Sequence, residues 1–216
     1  MSMLKQLLSV FLESRCAFCD RNTAKVLCSY CETKLTSHSF KPENCQIASS
    51  DLPVFAWGKY DGHLRRAISL MKYDQQPEIG KLLGKLLASA WLESQIMKPP
   101  HKLTIVPIPL HDQRLKERGF NQAQVIAKGF CQMTGHHLNS QVLVRMRNTK
   151  AMFELNSEER VANLQNAFEL GRQLPKYPVL LLDDIYTTGT TIKESIKVLK
   201  QNQVKVFGTV VVATGR

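Results

Sequence analysis

Nothing in the 216 residues approaches the roughly 20 consecutive apolar positions that a membrane-spanning helix needs. The one suspicious run, Leu7, Leu8, Ser9, Val10, Phe11 and Leu12, is closed by Glu13 and Arg15, and its flank lacks a small-residue cleavage site. It reads as a short amphipathic helix packed on the rest of a cytoplasmic protein, with no membrane insertion expected. Internal repeats are absent. With 11 Gly, 9 Pro and 44% hydrophobic residues, the chain also lacks the composition of collagenous, low-complexity or disordered proteins. Its length admits one core of ordinary size and a small appendage, and excludes two full enzyme domains. Acidic residues are in short supply: 18 Asp+Glu against 29 Lys+Arg give a formal charge of +11 with histidine neutral. Such a surplus favours polyanionic partners, whether nucleic acid, anionic lipid or phosphorylated small molecules, without choosing among them.

Cysteine, by contrast, is present in a pattern. Four of the six cysteines form Cys16-x2-Cys19-x8-Cys28-x2-Cys31. A CxxC knuckle presents two thiolates to one point, and a second knuckle across a hairpin completes a tetrahedron around Zn²⁺. Two disulfides are the alternative; the missing secretory signal argues for zinc, because cytosolic thiols are kept reduced. Four protein ligands leave no open position, so the metal is expected to be structural. Loaded with zinc, the cluster lowers the formal charge to about +9. Cys45 reads as the remnant of a further knuckle, and Cys131 as a small buried hydrophobe.

Two regions are expected: an N-terminal helix and zinc-ribbon module over 1–50, ending in Ser/Pro/Asn-rich text, and a second domain over 51–216. In the latter, strand and helix patterns alternate, as in an α/β fold with an open, mainly parallel sheet covered by helices on both faces. Strands are expected at 54–60, 103–108, 141–145, 179–182 and 204–213. Helices are expected at 62–73, after Pro77, from Asn121, from Asn156 with Glu159 three residues on, and at 190–201. The stretch from His111 to Gly119 reads as a charged loop, and Pro99-Pro100 as a break.

The clearest chemistry lies in Leu180 to Thr191. Asp183 and Asp184 end an apolar run, at the carboxyl end of a strand where open α/β sheets bind ligands. The turn of Thr187, Thr188, Gly189, Thr190 and Thr191 offers backbone N–H groups and hydroxyls and opens into a helix, whose N-terminus favours an anion. One phosphate monoester fits such a cup. A ligand-free capped turn is the alternative, since Thr caps helices well, but two adjacent carboxylates repel each other and packing does not explain them.

This segment resembles the 5-phosphoribosyl-1-diphosphate (PRPP) motif of type I phosphoribosyltransferases. Together with Val106-Pro107-Ile108-Pro109-Leu110, the block from Arg114 to Ala123, Arg160 with Asn163 to Phe168, and the cysteine pattern, the chain resembles the ComF family of competence-associated, phosphoribosyltransferase-like proteins, from Cys16 onward. The resemblance implies that Asp183 and Asp184 meet the ribose hydroxyls of PRPP, directly or through Mg²⁺, and that Thr187 to Thr191 hold the 5-phosphate. It also implies that pyrophosphate sits at the turn of Pro107, Ile108 and Pro109, where such folds often have a strained or cis peptide. Arg114, Lys116 and Arg118 would form a mobile loop over that pyrophosphate, with Lys72 a further candidate; solvated loop charge is the plainer reading of each. Met152 stands where many relatives are expected to have glutamine, and is either a ligand contact or core filler.

Two functions remain open on these grounds. One is a Mg²⁺-dependent phosphoribosyl transfer from PRPP to an unnamed acceptor, or binding of PRPP or a nucleotide without turnover. The other is a zinc-ribbon protein that binds single-stranded DNA during natural transformation, beside a DNA-uptake helicase, with the phosphate loop as an effector or docking site. The basic and aromatic residues Arg65, Arg66, Lys72, Tyr73, Arg114, Lys116, Arg118 and Phe120 make no alternating track, which points to phosphate-driven, sequence-tolerant binding.

Overall fold

Residues 15–47, 52–94, 96–99, 101–146 and 167–215 are described by the computed structural model. The expected helices at Leu7 to Leu12 and from Asn156, the position of Met152, and Arg160 lie outside these residues. The elements are α1 (Ser29–Thr36), β1 (Gln46–Ile47), β2 (Val54–Lys59), α2 (Gly62–Tyr73), α3 (Pro77–Glu93), β3 (Thr104–Pro107), α4 (Asp112–Arg118), α5 (Gln122–Thr134), β4 (His137–Leu138), β5 (Leu143–Arg145), β6 (Phe168–Leu170), β7 (Val179–Tyr186), α6 (Thr190–Gln201) and β8 (Val206–Thr214).

Six strands form one sheet in the order β1-β2-β8-β7-β3-β4. Only the β1–β2 pair is antiparallel. Strand β7 is central, and its Val179, Leu180, Leu181 and Leu182 are fully buried, as befits a parallel strand covered on both faces. Leu180 and Leu182 pack with Leu64, Ile68 and Met71 of α2, Leu83 and Leu87 of α3, and Ile126 and Phe130 of α5. Val179 and Leu181 pack on the other side with Ile192, Ile196 and Leu199 of α6 and with Phe168. The period of 3.6 that places Leu64, Ile68 and Met71 on one stripe is what lays α2 on the sheet. Helices α3 and α5 approach closely at Gly84 and Gly129: a Cβ on Gly84 would stand 2.9 Å from the Phe130 nitrogen, and one on Gly129 would collide with the Lys81 carbonyl. Strands β5 and β6 form a separate antiparallel pair.

Three local expectations are corrected. The stretch expected as a loop at His111 to Gly119 contains helix α4; His111 Nδ1 accepts the Gln113 N–H at 3.2 Å to cap it, and Gly119 ends it by donating to the Leu115 carbonyl at 2.8 Å. Its sequence, DQRLKER, has a single apolar residue, so end chemistry rather than an apolar stripe forms it. Strand β7 runs on through both aspartates to Tyr186, because its ladder with β8 continues to Tyr186 opposite Thr214. The short strands β1, β4 and β6 are further additions to the expected set.

The cysteine-bearing segment packs on the same apolar cluster. Cys16, Phe18, Leu27, Cys31, Leu35 and Cys45 are buried with Phe55, Trp57 and Leu64. Backbone bonds join it to β2: Phe40 N–H to the Trp57 carbonyl at 2.8 Å, Ala56 N–H to Cys45 at 2.7 Å and Lys59 N–H to His38 at 3.1 Å. Among the described residues, no helix is long and apolar enough to cross a membrane.

Candidate functional site

The carboxyl end of β7 brings the two carboxylates to one end of the sheet. Asp184 is buried, and its Oδ2 pairs with Nζ of Lys72, from the last turn of α2. Burial penalises a charged Asp184, but the adjacent ammonium outweighs that penalty and holds its carboxyl below the usual range. Asp183 differs. Its Oδ1 accepts the Asp184 N–H at 2.8 Å, yet burial and then the charge of Asp184 push its pKa well above the usual carboxylate value. One environment thus favours an ionised and a protonated acid side by side.

Beyond Tyr186 the chain turns sharply into α6. Gly189 takes a left-handed conformation with φ 79°, and no side chain caps the helix. The first N–H groups of α6 therefore face the turn, as an anion site requires. Thr188 and Thr190 share a hydroxyl hydrogen bond of 2.8 Å, and Ser195 Oγ donates to the Thr191 carbonyl at 2.9 Å. The buried Tyr186 ring lies directly beneath Gly189.

A cavity of about 280 Å³ opens between these parts. Asp183, Asp184, Thr187 and Thr191 line one side, with Ile108, Pro109 and Leu110, Arg114 and Arg118 of α4, Arg145 of β5 and Lys72 and Tyr73 of α2 around it. Asn121 fixes the turn after β3: its Oδ1 accepts the Ala123 N–H at 2.9 Å while its Nδ2 donates to the Ile108 carbonyl at 3.0 Å. That one side chain ties the start of α5 to the cavity wall, and the peptide bonds there are trans. Arg118 donates to Gln122 Oε1 at 2.5 Å and lies over the Tyr73 ring at 5.9 Å, and Arg145 lies over Phe168 at 5.4 Å. Burial lowers the pKa of both guanidinium groups, which sharpens their appetite for an anion.

Of the expected site residues, the cavity gathers Asp183, Asp184, Thr187, Thr191, Ile108, Pro109, Arg114, Arg118 and Lys72. Thr188, Gly189 and Thr190 form the turn without lining it, Pro107 stays in the β3 ladder, and Lys116 is outside the lining. Arg145, Tyr60 and Gln122 join the wall with no role foreseen for them. Arg145 sits on a three-residue strand of a separate sheet, and nothing in its local pattern signals that position.

At the other end, the sulfur atoms of Cys16, Cys19, Cys28 and Cys31 all lie within 4.8 Å of one another, and Cys19 and Cys28 are 3.6 Å apart. Zn–S bonds of about 2.3 Å in a tetrahedron need sulfurs roughly 3.8 Å apart, so the set fits zinc with little adjustment. The knuckle is built by the Asp20 N–H donating to the Cys16 carbonyl at 2.9 Å and the Cys16 N–H to Arg21 at 2.8 Å. Burial opposes a Cys16 thiolate, but hydrogen bonds from the backbone of Cys28, Phe18 and Cys19 prevail and bring its pKa to about 6. Cys45 is no part of this cluster: burial pushes its thiol up to about 11, and that of Cys131 to about 12.

An open, mainly parallel sheet, an acid pair at the end of its central strand, a threonine-rich helix entry and a four-cysteine module define a type I phosphoribosyltransferase-like α/β protein with an appended cysteine ribbon that could hold a metal such as zinc. No family model matches the chain. Individual proteins do: it is 28% identical to Competence protein F of Haemophilus influenzae, over 92% of this chain and 97% of that protein. It is 29% identical to DNA utilization protein YhgH of Escherichia coli K12, over 87% and 84% of the two chains, and 29% identical to Competence protein ComFC of Streptococcus pneumoniae, over 88% and 90%. This likeness along nearly its whole length supports the resemblance to the ComF family read from the sequence.

Proposed function

We propose that this protein binds PRPP in the cavity at the carboxyl end of β7 and serves the uptake or use of DNA, the role named in its relatives Competence protein F and DNA utilization protein YhgH. The observation that supports this most is the meeting, in one cavity, of the acid pair, the uncapped entry to α6 and the opposed basic side chains. In this reading Thr187, Thr188, Gly189, Thr190 and Thr191 hold the 5-phosphate, and Asp183 and Asp184 receive the ribose hydroxyls. Arg114, Arg118 and Arg145 face the pyrophosphate beside Ile108 and Pro109. Carboxylate oxygens suit Mg²⁺, but Lys72 already holds Asp184 Oδ2, so a magnesium ion fits best on the pyrophosphate, where it would neutralise charge. Were a nitrogen nucleophile to attack C1, the C1–O bond to pyrophosphate would break, and Asp184, the ionised member of the pair, would be the acid able to stabilise positive charge on the ring.

The test is PRPP with Mg²⁺ in a melting experiment, followed by pyrophosphate release across nucleobases, amines and single-stranded DNA. PRPP raises the melting temperature of the parent and not of the Asp183→Asn, Asp184→Asn double variant. An unshifted parent at millimolar PRPP sinks the reading. Release with one acceptor class makes the protein a transferase; a shift without release makes it a PRPP receptor.

A second reading, contact with single-stranded DNA beside a helicase partner, draws on the cysteine module. Tyr30 is 57% exposed, with the Arg21 guanidinium and the Lys34 ammonium each 5.7 Å from its ring centre. Such a ring between cations can stack a base while its neighbours meet phosphates. The track suggested around α2 is weaker in comparison, since Lys72 is committed to Asp184 and Arg66 donates to the Phe18 carbonyl at 2.6 Å. Tyr30→Ala should weaken binding at 50 mM salt; a flat salt dependence counts against this reading.

A further inference from the structure

We infer that Lys72 is the resident cation of the acid pair, and that the ribose 5-phosphate half of the cavity therefore takes its ligand without a divalent metal. The inference rests on the PRPP reading and narrows it: any ligand with a ribose diol and a 5-phosphate, with or without a pyrophosphate, belongs to the class this half accepts.

The ion pair is enclosed. The side chains of Lys72 and Asp184 are only 17% and 6% exposed, and the two come from separate elements, the end of α2 and the end of β7. Lys72 stands in the last turn of its helix, where the helix dipole itself favours a cation. Burying both charges is costly, and an apolar pair of similar size would join α2 to β7 at less expense. The pair opens onto the cavity instead of closing a core, since Lys72, Asp183 and Asp184 all line it. A divalent ion that sought the same carboxylate would have to expel a buried ammonium or settle beside it against like charge.

The rest of this half is likewise supplied by the chain. The ammonium has donors to spare for a ribose oxygen, and the carboxylates accept from ribose hydroxyls. The 5-phosphate meets threonine hydroxyls and the N–H groups at the start of α6. Only the pyrophosphate half, among Arg114, Arg118 and Arg145, is left for a metal brought by the ligand.

Binding of ribose 5-phosphate and of PRPP is measured by calorimetry on the full zinc-loaded chain, in buffer cleared of divalent ions on a resin so that no chelator strips the cysteine cluster, with and without added Mg²⁺. The affinity for ribose 5-phosphate is expected to change less than about twofold, whereas that for PRPP rises with Mg²⁺. In Lys72→Met, Mg²⁺ should now strengthen ribose 5-phosphate binding by about fivefold or more. Ribose 5-phosphate that binds the parent only with Mg²⁺ overturns the proposal, as does PRPP binding with no ribose 5-phosphate binding under either condition. A folded Lys72→Met protein that stays indifferent to Mg²⁺ reduces Lys72 to a tie between elements and also overturns it. Silence from both ligands removes the PRPP reading as well, so the two failures are told apart. If the variant does not fold, the comparison in the parent alone decides.

Discussion

Replacing Gly189 by alanine should do more harm than its one methyl suggests. Two costs combine at this position. The first is conformational: φ is 79°, a region in which a side chain costs about 1–2 kcal/mol, offset by about 0.4–1 kcal/mol because alanine restricts the unfolded chain. The second is steric: the new Cβ would collide with the Tyr186 hydroxyl and stand 2.7 Å from its Cζ, and the ring is only 3% exposed. Forcing a packed ring aside costs about 1–3 kcal/mol. The sum is about 1–4.5 kcal/mol, or a fall of roughly 2–18 °C in melting temperature for a chain of this size. Gly135 supplies the control. It has φ 69° with nothing within 4 Å of an added Cβ, so Gly135→Ala carries the first cost alone, about 0–1.5 kcal/mol. Urea denaturation of both variants isolates the Tyr186 contribution, and PRPP should no longer shift the melting temperature of Gly189→Ala. If the two variants lie within about 0.5 kcal/mol of each other, a firm Tyr186 floor beneath the phosphate turn is refuted.

Two more outcomes are expected. Protein purified without added metal should hold one zinc per chain by elemental analysis; Cys19→Ser should lower both the zinc content and the melting temperature, while Cys45→Ser keeps the metal, since only the former belongs to the sulfur cluster. Zinc that persists in Cys19→Ser would show that the site lies elsewhere. Asp183, whose folded pKa is raised, contributes stability that is fully present below its unfolded pKa of about 3.9 and is lost as pH rises towards the folded value. Asp183→Asn should therefore flatten the pH dependence of stability and gain on the parent between pH 5 and pH 8, as followed by urea melts; a variant that loses ground over that range contradicts the assignment.

Much of this was legible in residue patterns. Helix α6 begins at Thr190 and ends at Gln201 as its apolar spacing demands, and α3 starts at Pro77, a residue suited to a first helical turn. The cysteine spacing led directly to the sulfur cluster. What escaped lacked a repeating pattern: α4 has one apolar residue, and β6 has only three residues, too few for alternation to register. The acid pair signalled a ligand, but its local text said nothing of Lys72 as a partner. That pairing depends on how α2 crosses the sheet, a property of packing between distant segments. Arg145 reaches the cavity for the same reason.

The cysteine module's attachment to the sheet bears on how deletions should be interpreted. Cutting the chain near residue 50 would strip the cover from Phe55 and Trp57, free the backbone groups of β2 that bond to Phe40, His38 and Cys45, and release the start of α2, where the His63 N–H donates to His38 Nε2 at 3.2 Å. The far end of that helix holds Lys72. A shortened protein that lost DNA binding or PRPP binding would thus report damage to a common framework, and zinc occupancy and sugar-phosphate affinity should influence each other reciprocally. Point changes at exposed positions such as Tyr30 would separate the two proposed activities where truncation confounds them.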